Sequence, residues 1–192
     1  MLHALISSPI GPLDLTIENG ALLSLDFDDQ PDFDFFTKQP LYSLLANHST
    51  KTKTSSKNNQ AILAQTTTEL FEYFHKGRTS FTVPVHLTGT DFRRRAWHKL
   101  EKIPYGKVKS YGQIAQEVGS PKASRAVGGA CGSNPVAIIV PCHRVTGSDG
   151  KLTGFGGGLN RKQYLLNLES GQIGLRSPNP TEHTKIPQRR HA

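Results

Sequence analysis

The residues with the clearest capacity for chemistry sit together at Pro141-Cys142-His143-Arg144-Val145, at the end of the apolar run of residues 136–140. A thiolate is a strong nucleophile, and a neighbouring imidazole is the usual group to take its proton. A cysteine in apolar surroundings is more often inert packing. Three features oppose that reading for Cys142: His143, Arg144, and the glycine-rich stretch of residues 147–158 that follows. Within that stretch Gly154-Phe155-Gly156-Gly157-Gly158 lets backbone pack closely around a bound group. The apolar run reads as a buried strand that Pro141 ends, so that Cys142 is presented at a strand end. Cys131 has no such neighbours and reads as packing. Cysteines at 131 and 142, with His98 and His143, lack the paired spacing of a zinc site, so no metal is expected.

The elements before Cys142 must hold it. Thr88-Gly89-Thr90-Asp91 offers a boundary and an N-cap, and Phe92, Ala96, Leu100 and Ile103 then share one helical face with Trp97 beside them. Arg93, Arg94 and Arg95 crowd the start of this helix, where its dipole disfavours cations. Ser110 caps a helix carrying Ile114, Ala115 and Val118, and Gly119 closes it. After the Ser120-Pro121 turn, a second helix runs from Lys122 to about Cys131 with Ala123, Val127 and Ala130 inward. Two short helices joined by a glycine-containing turn of about three or four residues form a helix-turn-helix pattern. The second helix is built of small residues, including Gly128 and Gly129, with Arg125 standing out among them. Such a surface suits either a tight helix–helix contact or a close approach to a ligand.

Residues 1–88 read as a separate α+β domain. Leu13, Leu15 and Ile17 alternate with polar residues, Asn19-Gly20 supplies a hairpin turn, and Leu23, Leu25 and Phe27 alternate again. Residues 47–60 read as a mobile polar loop. Leu63, Thr67, Leu70 and Phe74 recur at helical spacing over 61–75, and residues 81–87 alternate as an edge strand containing Pro84. No catalytic constellation is visible in this half. The tail from 171 to 192 reads as disordered.

Net charge is +8 and uneven. Residues 1–90 hold 6 Lys/Arg against 9 Asp/Glu, and residues 91–192 hold 17 against 6. A basic second half is what a polyanion-binding surface requires, although charge alone does not name the partner. No run is apolar enough for a membrane span or a signal peptide, and two cysteines make no disulfide framework. A monomeric protein of a reducing compartment is expected, cytoplasmic and on the nucleoid in a bacterium, or nuclear in a eukaryote.

Asn134-Pro135, then IIVPCHRV, the glycine loop and GGLNRKQYLLNLE closely resemble the methylated-DNA–protein-cysteine methyltransferases, from about Thr90 to Glu169. The resemblance implies a ribonuclease-H-like N-terminal sheet domain (1–88) and a mainly helical C-terminal DNA-binding domain (89–170). It implies transfer of a methyl or other alkyl group from 6-O-alkylguanine in double-stranded DNA, with 4-O-alkylthymine left open as a second substrate, to Cys142, once per molecule and without a cofactor. His143 and Glu169 would form the activating network, with a water between His143 and the thiol. Asn134 would brace the turn, and Tyr111 would donate a hydrogen bond to the leaving guanine and crowd the phosphate backbone of the DNA. Arg125 would replace the extruded nucleotide, with Ser120, Lys122 and Ser124 beside it on the DNA. Val145, Phe155 and Gly156 would line the base pocket. The chain departs from the family in places. Phe155 stands where tyrosine is common, Gly156 where some relatives have serine, and Gly132 where some have a basic residue. The cysteines of an N-terminal metal site found in some relatives are missing.

Rival readings are a turnover hydrolase built on Cys142, His143 and Glu169, an alkyltransferase-like damage binder, and a helix-turn-helix transcription factor. Damage binders of that kind lack the cysteine. A transcription factor would need more base-reading side chains than Lys122, Ser124 and Arg125.

Overall fold

The computed structural model describes residues 1–28 and 56–173. Most of the polar 47–60 segment and the tail beyond Ile173 lie outside the described residues. The first half opens on three antiparallel strands, β1 (Leu2–Ile6), β2 (Leu13–Glu18) and β3 (Ala21–Phe27), in the order β1-β2-β3. The Asn19-Gly20 turn forms as expected, with both residues at positive φ (50° and 76°). β1 is an additional strand that the sequence reading did not pick out. It alternates buried and exposed residues and pairs Leu2 with Ile17 and Ile6 with Leu13.

The alternation expected in β3 holds at Leu25 but fails at Leu23. The register shifts between Thr16 and Ile17, so Ile17 opposes Leu22 while Leu15 opposes Leu25. An extra residue in one strand reverses which side chains face inward. Leu22 and Leu25 are therefore fully buried and Leu23 is not.

α1 (Lys57–His75) covers the sheet. It begins four residues before the expected start, because Ser56 accepts a hydrogen bond from the Asn59 N–H and caps it. Residues 57–60 are thus helix, not loop. Leu63, Thr67, Leu70 and Phe74 all face the core as their spacing requires. The expected strand at 81–87 is reduced to a bridge of Val85 with Leu22, made by the Leu22 N–H on the Pro84 carbonyl and the His86 N–H on the Leu22 carbonyl. Pro84, lacking an N–H, limits the ladder.

The second half is mainly helical: α2 (Asp91–Leu100), α3 (Tyr111–Glu117), α4 (Ser124–Gly132) and α5 (Leu159–Glu169). Two short parallel strands, β4 (Lys109–Ser110) and β5 (Val145–Thr146), sit among them. Thr90 caps α2. Ser110 and Gln113 form a reciprocal capping box on α3. The connection between α3 and α4 takes six residues, 118–123, rather than three or four, because α4 starts only at Ser124, two residues later than expected. α2 holds the pair from behind, where Trp97 Nε1 donates to the Ala130 carbonyl at 2.8 Å.

Candidate active site

The segment before Cys142 is buried but is not a strand. Val136 makes one bridge to Leu25 of β3, and residues 137–139 then turn. Ile138 sits at φ 70°, a costly conformation for a β-branched residue. Asn134 spans this turn. Its Nδ2 donates to the Val140 carbonyl at 2.8 Å and to Cys142 Sγ at 3.2 Å, while its Oδ1 accepts from the Val136 N–H at 3.1 Å. Cys142 therefore opens a short 3₁₀ turn (Cys142–Arg144) that leads into β5, correcting the strand-end expectation. An apolar run cannot by itself distinguish a strand from a buried turn, and the asparagine side chain supplies the bonds that a ladder would have made.

The 3₁₀ turn sends its three side chains to different places. Cys142 faces a cavity of about 160 Å³ whose lining includes Asn134, Phe155, Gly156 and, from β3, Asp26. His143, fully buried, points away to Glu169, with 2.9 Å between Nε2 and Oε1. Its Nδ1 is buried and has no hydrogen-bond partner among the described residues. Arg144 forks onto Glu169, Nε to Oε2 at 2.9 Å and Nη2 to Oε1 at 2.8 Å, and its Nη1 donates to the Ile103 carbonyl. Glu169 also accepts from Tyr73 Oη at 2.7 Å and from the Gly106 N–H at 3.1 Å.

Electrostatics follow from these partners. Burial works to raise the Glu169 carboxyl, but hydrogen bonds and charge from His143 and Arg144 outweigh it and bring it down to about 2. A carboxylate accepting at Nε2 places the proton of a neutral imidazole there and leaves Nδ1 as the acceptor. Burial pushes His143 below its usual value, and Arg144 and Lys162 add to this against the pull of Glu169. Burial pushes the Cys142 thiol up; the Asn134 hydrogen bond and the Lys162 charge pull it down, while Asp26 pushes it up. Burial carries Cys131, which lines the same cavity, to about 12, so almost none of it is thiolate near neutral pH.

A second, wider cavity of about 580 Å³ adjoins the first. Tyr111, Ser124, Arg125, Gly128 and Gly132 line it from the helix pair, and residues 153–156 line it from the glycine loop. Tyr111 Oη donates to the Thr153 carbonyl at 3.1 Å, and Arg125 is exposed. Ser120 and exposed Lys122 stand in the connection between the helices and line neither cavity. Phe155 and Gly156 line both. Val145 does not: it is fully buried, and its carbonyl accepts from Lys162 Nζ at 2.6 Å.

Three contributors escaped the sequence reading. Lys162 is wholly buried, donating to the carbonyls of Val145 and Thr153 and so tying β5 to the glycine loop. Arg161 bonds the Ile10 and Gly157 carbonyls and lies over the Phe27 ring. Tyr73 reaches Glu169 from α1. Residues 159–169 do carry a signal for the first two, since Arg and Lys on consecutive positions just after a glycine run are well placed to satisfy its carbonyls.

A three-stranded sheet joined to a helix-turn-helix, with a cysteine beside a buried His–Glu pair where the two meet, sets a candidate nucleophile beside a helix pair of the kind that binds DNA. The family comparisons agree. Residues 1–87 match the 6-O-methylguanine DNA methyltransferase ribonuclease-like domain, and residues 91–171 match the DNA binding domain of the same name. The chain belongs to the 6-O-methylguanine DNA methyltransferase family. It is 44% identical over 164 residues to the methylated-DNA–protein-cysteine methyltransferase of Mycolicibacterium paratuberculosis, covering 85% of this chain and 89% of that one. The corresponding protein of Methanosarcina acetivorans is 38% identical over 169 residues, covering 88% and 98%. Among solved structures, Mycobacterium tuberculosis OGT in complex with DNA superposes with a TM-score of 0.69 at 42% identity, covering 88% of this chain and 92% of that one.

Proposed function

We propose that this chain repairs DNA by moving a methyl or larger alkyl group from the 6-oxygen of guanine onto Cys142, once per molecule. The carrying observation is the site geometry: Cys142 Sγ faces a cavity while His143 and Glu169 stand buried behind it as a hydrogen-bonded pair. His143 Nδ1, through a water, takes the thiol proton; Glu169 fixes the imidazole and stabilises its charged form. Sγ then attacks the alkyl carbon, the S–C bond forms, and the C–O bond breaks with its electron pair leaving on guanine. Tyr111 protonates or hydrogen-bonds the leaving base, exchanging its Thr153 acceptor to do so. A thioether resists hydrolysis, so the product is spent protein.

Attack on a base atom requires the base to leave the duplex, at roughly a few kcal/mol. The wide cavity beside Arg125 is where an extruded nucleotide would pass, and Arg125 fills the gap in the stack. Ser120, Lys122 and Ser124 contact the backbone. The small residues of α4 support this. Among the described residues, a Cβ added at Gly129 meets nothing within 4 Å, and one at Gly128 meets only Tyr111 Cε1 at 3.9 Å. Packing among the described residues therefore does not demand these glycines, and close approach to a duplex explains them. The division of labour assigned here is a substrate-facing unit at 89–170 and a supporting unit at 1–88, acting as a monomer. Among the described residues no helix is long and apolar enough to cross a membrane.

Mass spectrometry after incubation with duplex DNA carrying 6-O-methylguanine tests the reading. One added methyl per protein on the peptide containing Cys142 is expected. Product released beyond one equivalent would instead support the hydrolase. C142S should abolish transfer and keep DNA binding; C131S should leave transfer largely intact.

A further inference from the structure

Glu169 receives more donors than a carboxylate ordinarily accommodates, and one of them comes from the other half of the chain. Its Oε1 alone takes Tyr73 Oη, His143 Nε2 and Arg144 Nη2. A carboxylate offers about four lone-pair positions, so these donors share the electron density of one group. Tyr73 lies on α1, is fully buried, and is held by Phe74, Phe81 and Tyr105 at ring-centroid distances of 5.1, 5.4 and 6.0 Å.

We propose that Tyr73 is a positioning residue for alkyl transfer, whose hydroxyl holds Glu169 across the junction between the halves and thereby sets the orientation and basicity of His143. The inference rests on the alkyl-transfer reading above. The sign follows from hydrogen-bond sharing. By donating to Oε1, Tyr73 weakens that oxygen as an acceptor for His143 and keeps the imidazole less basic. The other groups facing the pair are fixed. Arg144 comes from the 3₁₀ turn and Lys162 from α5, and both disfavour a charged imidazole. Tyr105 and the Gly106 N–H come from the segment after α2, and burial keeps the Tyr105 phenol protonated. Cys142 sits beside His143 on the turn itself. Tyr73 is likewise protonated, held well above the usual phenol value by burial and by Glu169.

The test is the pH dependence of single-turnover transfer from 6-O-methylguanine duplex DNA, measured on the full chain. Y73F keeps the ring and removes the donor. It should slow transfer about tenfold, the effect of losing one hydrogen bond to a charged group. It should also move the acid limb up by about half a pH unit or more, because His143 becomes easier to protonate. Replacing Tyr73 with 3-fluorotyrosine, a stronger donor, should move the limb the opposite way. F74L, which loosens the same cluster without touching Glu169, should leave the limb in place. An unchanged limb in both Tyr73 variants, or equal movement in F74L, overturns the proposal. Failure of the parent chain to transfer at any pH overturns the alkyl-transfer reading instead.

Discussion

Single side chains decide how the thiol becomes reactive and how the base reaches it. Glu169 lies at about 2 in the fold against 4.5 for the free side chain. A lowered carboxyl contributes stability above its unfolded value and loses it as pH falls toward its folded one. The contribution is therefore complete above about pH 5 and disappears between there and pH 2, and amounts to roughly 3 kcal/mol. Denaturant titration from pH 7 to 3 should show that loss. E169Q should flatten the dependence while costing roughly 3–5 kcal/mol, because it leaves Arg144 buried without its ion pair. On the proposed reading, Arg125 and Tyr111 separate extrusion from chemistry. R125A should slow repair of duplex DNA by tenfold or more, of the order set by a few kcal/mol of unstacking. It should barely change reaction with free 6-O-benzylguanine. Y111F should impair both substrates, because the bond to the leaving base is needed in each. Equal slowing of both substrates by R125A would reassign that residue to shaping the pocket.

At the level of elements, on the proposed reading, α4 gives up some of its own stability for access. Gly128 and Gly129 lie inside the helix, where glycine costs roughly 0.5–1 kcal/mol relative to alanine. G129A should therefore raise the melting temperature, since the added methyl meets nothing among the described residues. It should also weaken duplex repair several-fold and leave the free-base reaction unchanged. A variant both more stable and fully active on duplex would show that α4 does not enter the DNA closely. α5 serves a different end. It brings Arg161, Lys162 and Glu169 inward together, so one helix secures the N-terminal sheet, the glycine loop and the His–Glu pair.

Across the whole molecule the uneven charge and the junction between halves matter most. The basic half carries 17 Lys/Arg against 6 Asp/Glu and holds the helix-turn-helix, so DNA affinity should fall steeply with salt. The expected log–log slope is roughly 0.9 per phosphate neutralised, and measuring it by fluorescence anisotropy should give a slope nearly independent of sequence. A slope near zero would remove the backbone-driven binding on which the repair reading depends. The halves meet through β3 as well as through Tyr73. The Leu25 N–H donates to the Pro135 carbonyl and the Ala137 N–H to the Leu25 carbonyl, so the sheet edge braces the turn before Cys142. Phe27 packs on Phe155 and occupies the space where a side chain at Gly157 would go.

Local chemistry determined much of this without a structure. The Asn19-Gly20 hairpin, the cap at Ser110, the stop at Gly119 and the reactive cluster at Cys142 all follow from residues within a few positions of one another. Tertiary structure decided what depends on distant partners. The apolar run at 136–140 became a turn because Asn134 supplies its hydrogen bonds, and the inward phase of β3 shifted at a bulge set by pairing with β2. Lys162, Arg161 and Tyr73 belong to the site because other segments present carbonyls and a carboxylate to them. Charged and phenolic side chains read in isolation look like surface, and only the fold reveals the buried acceptors that pay for their desolvation.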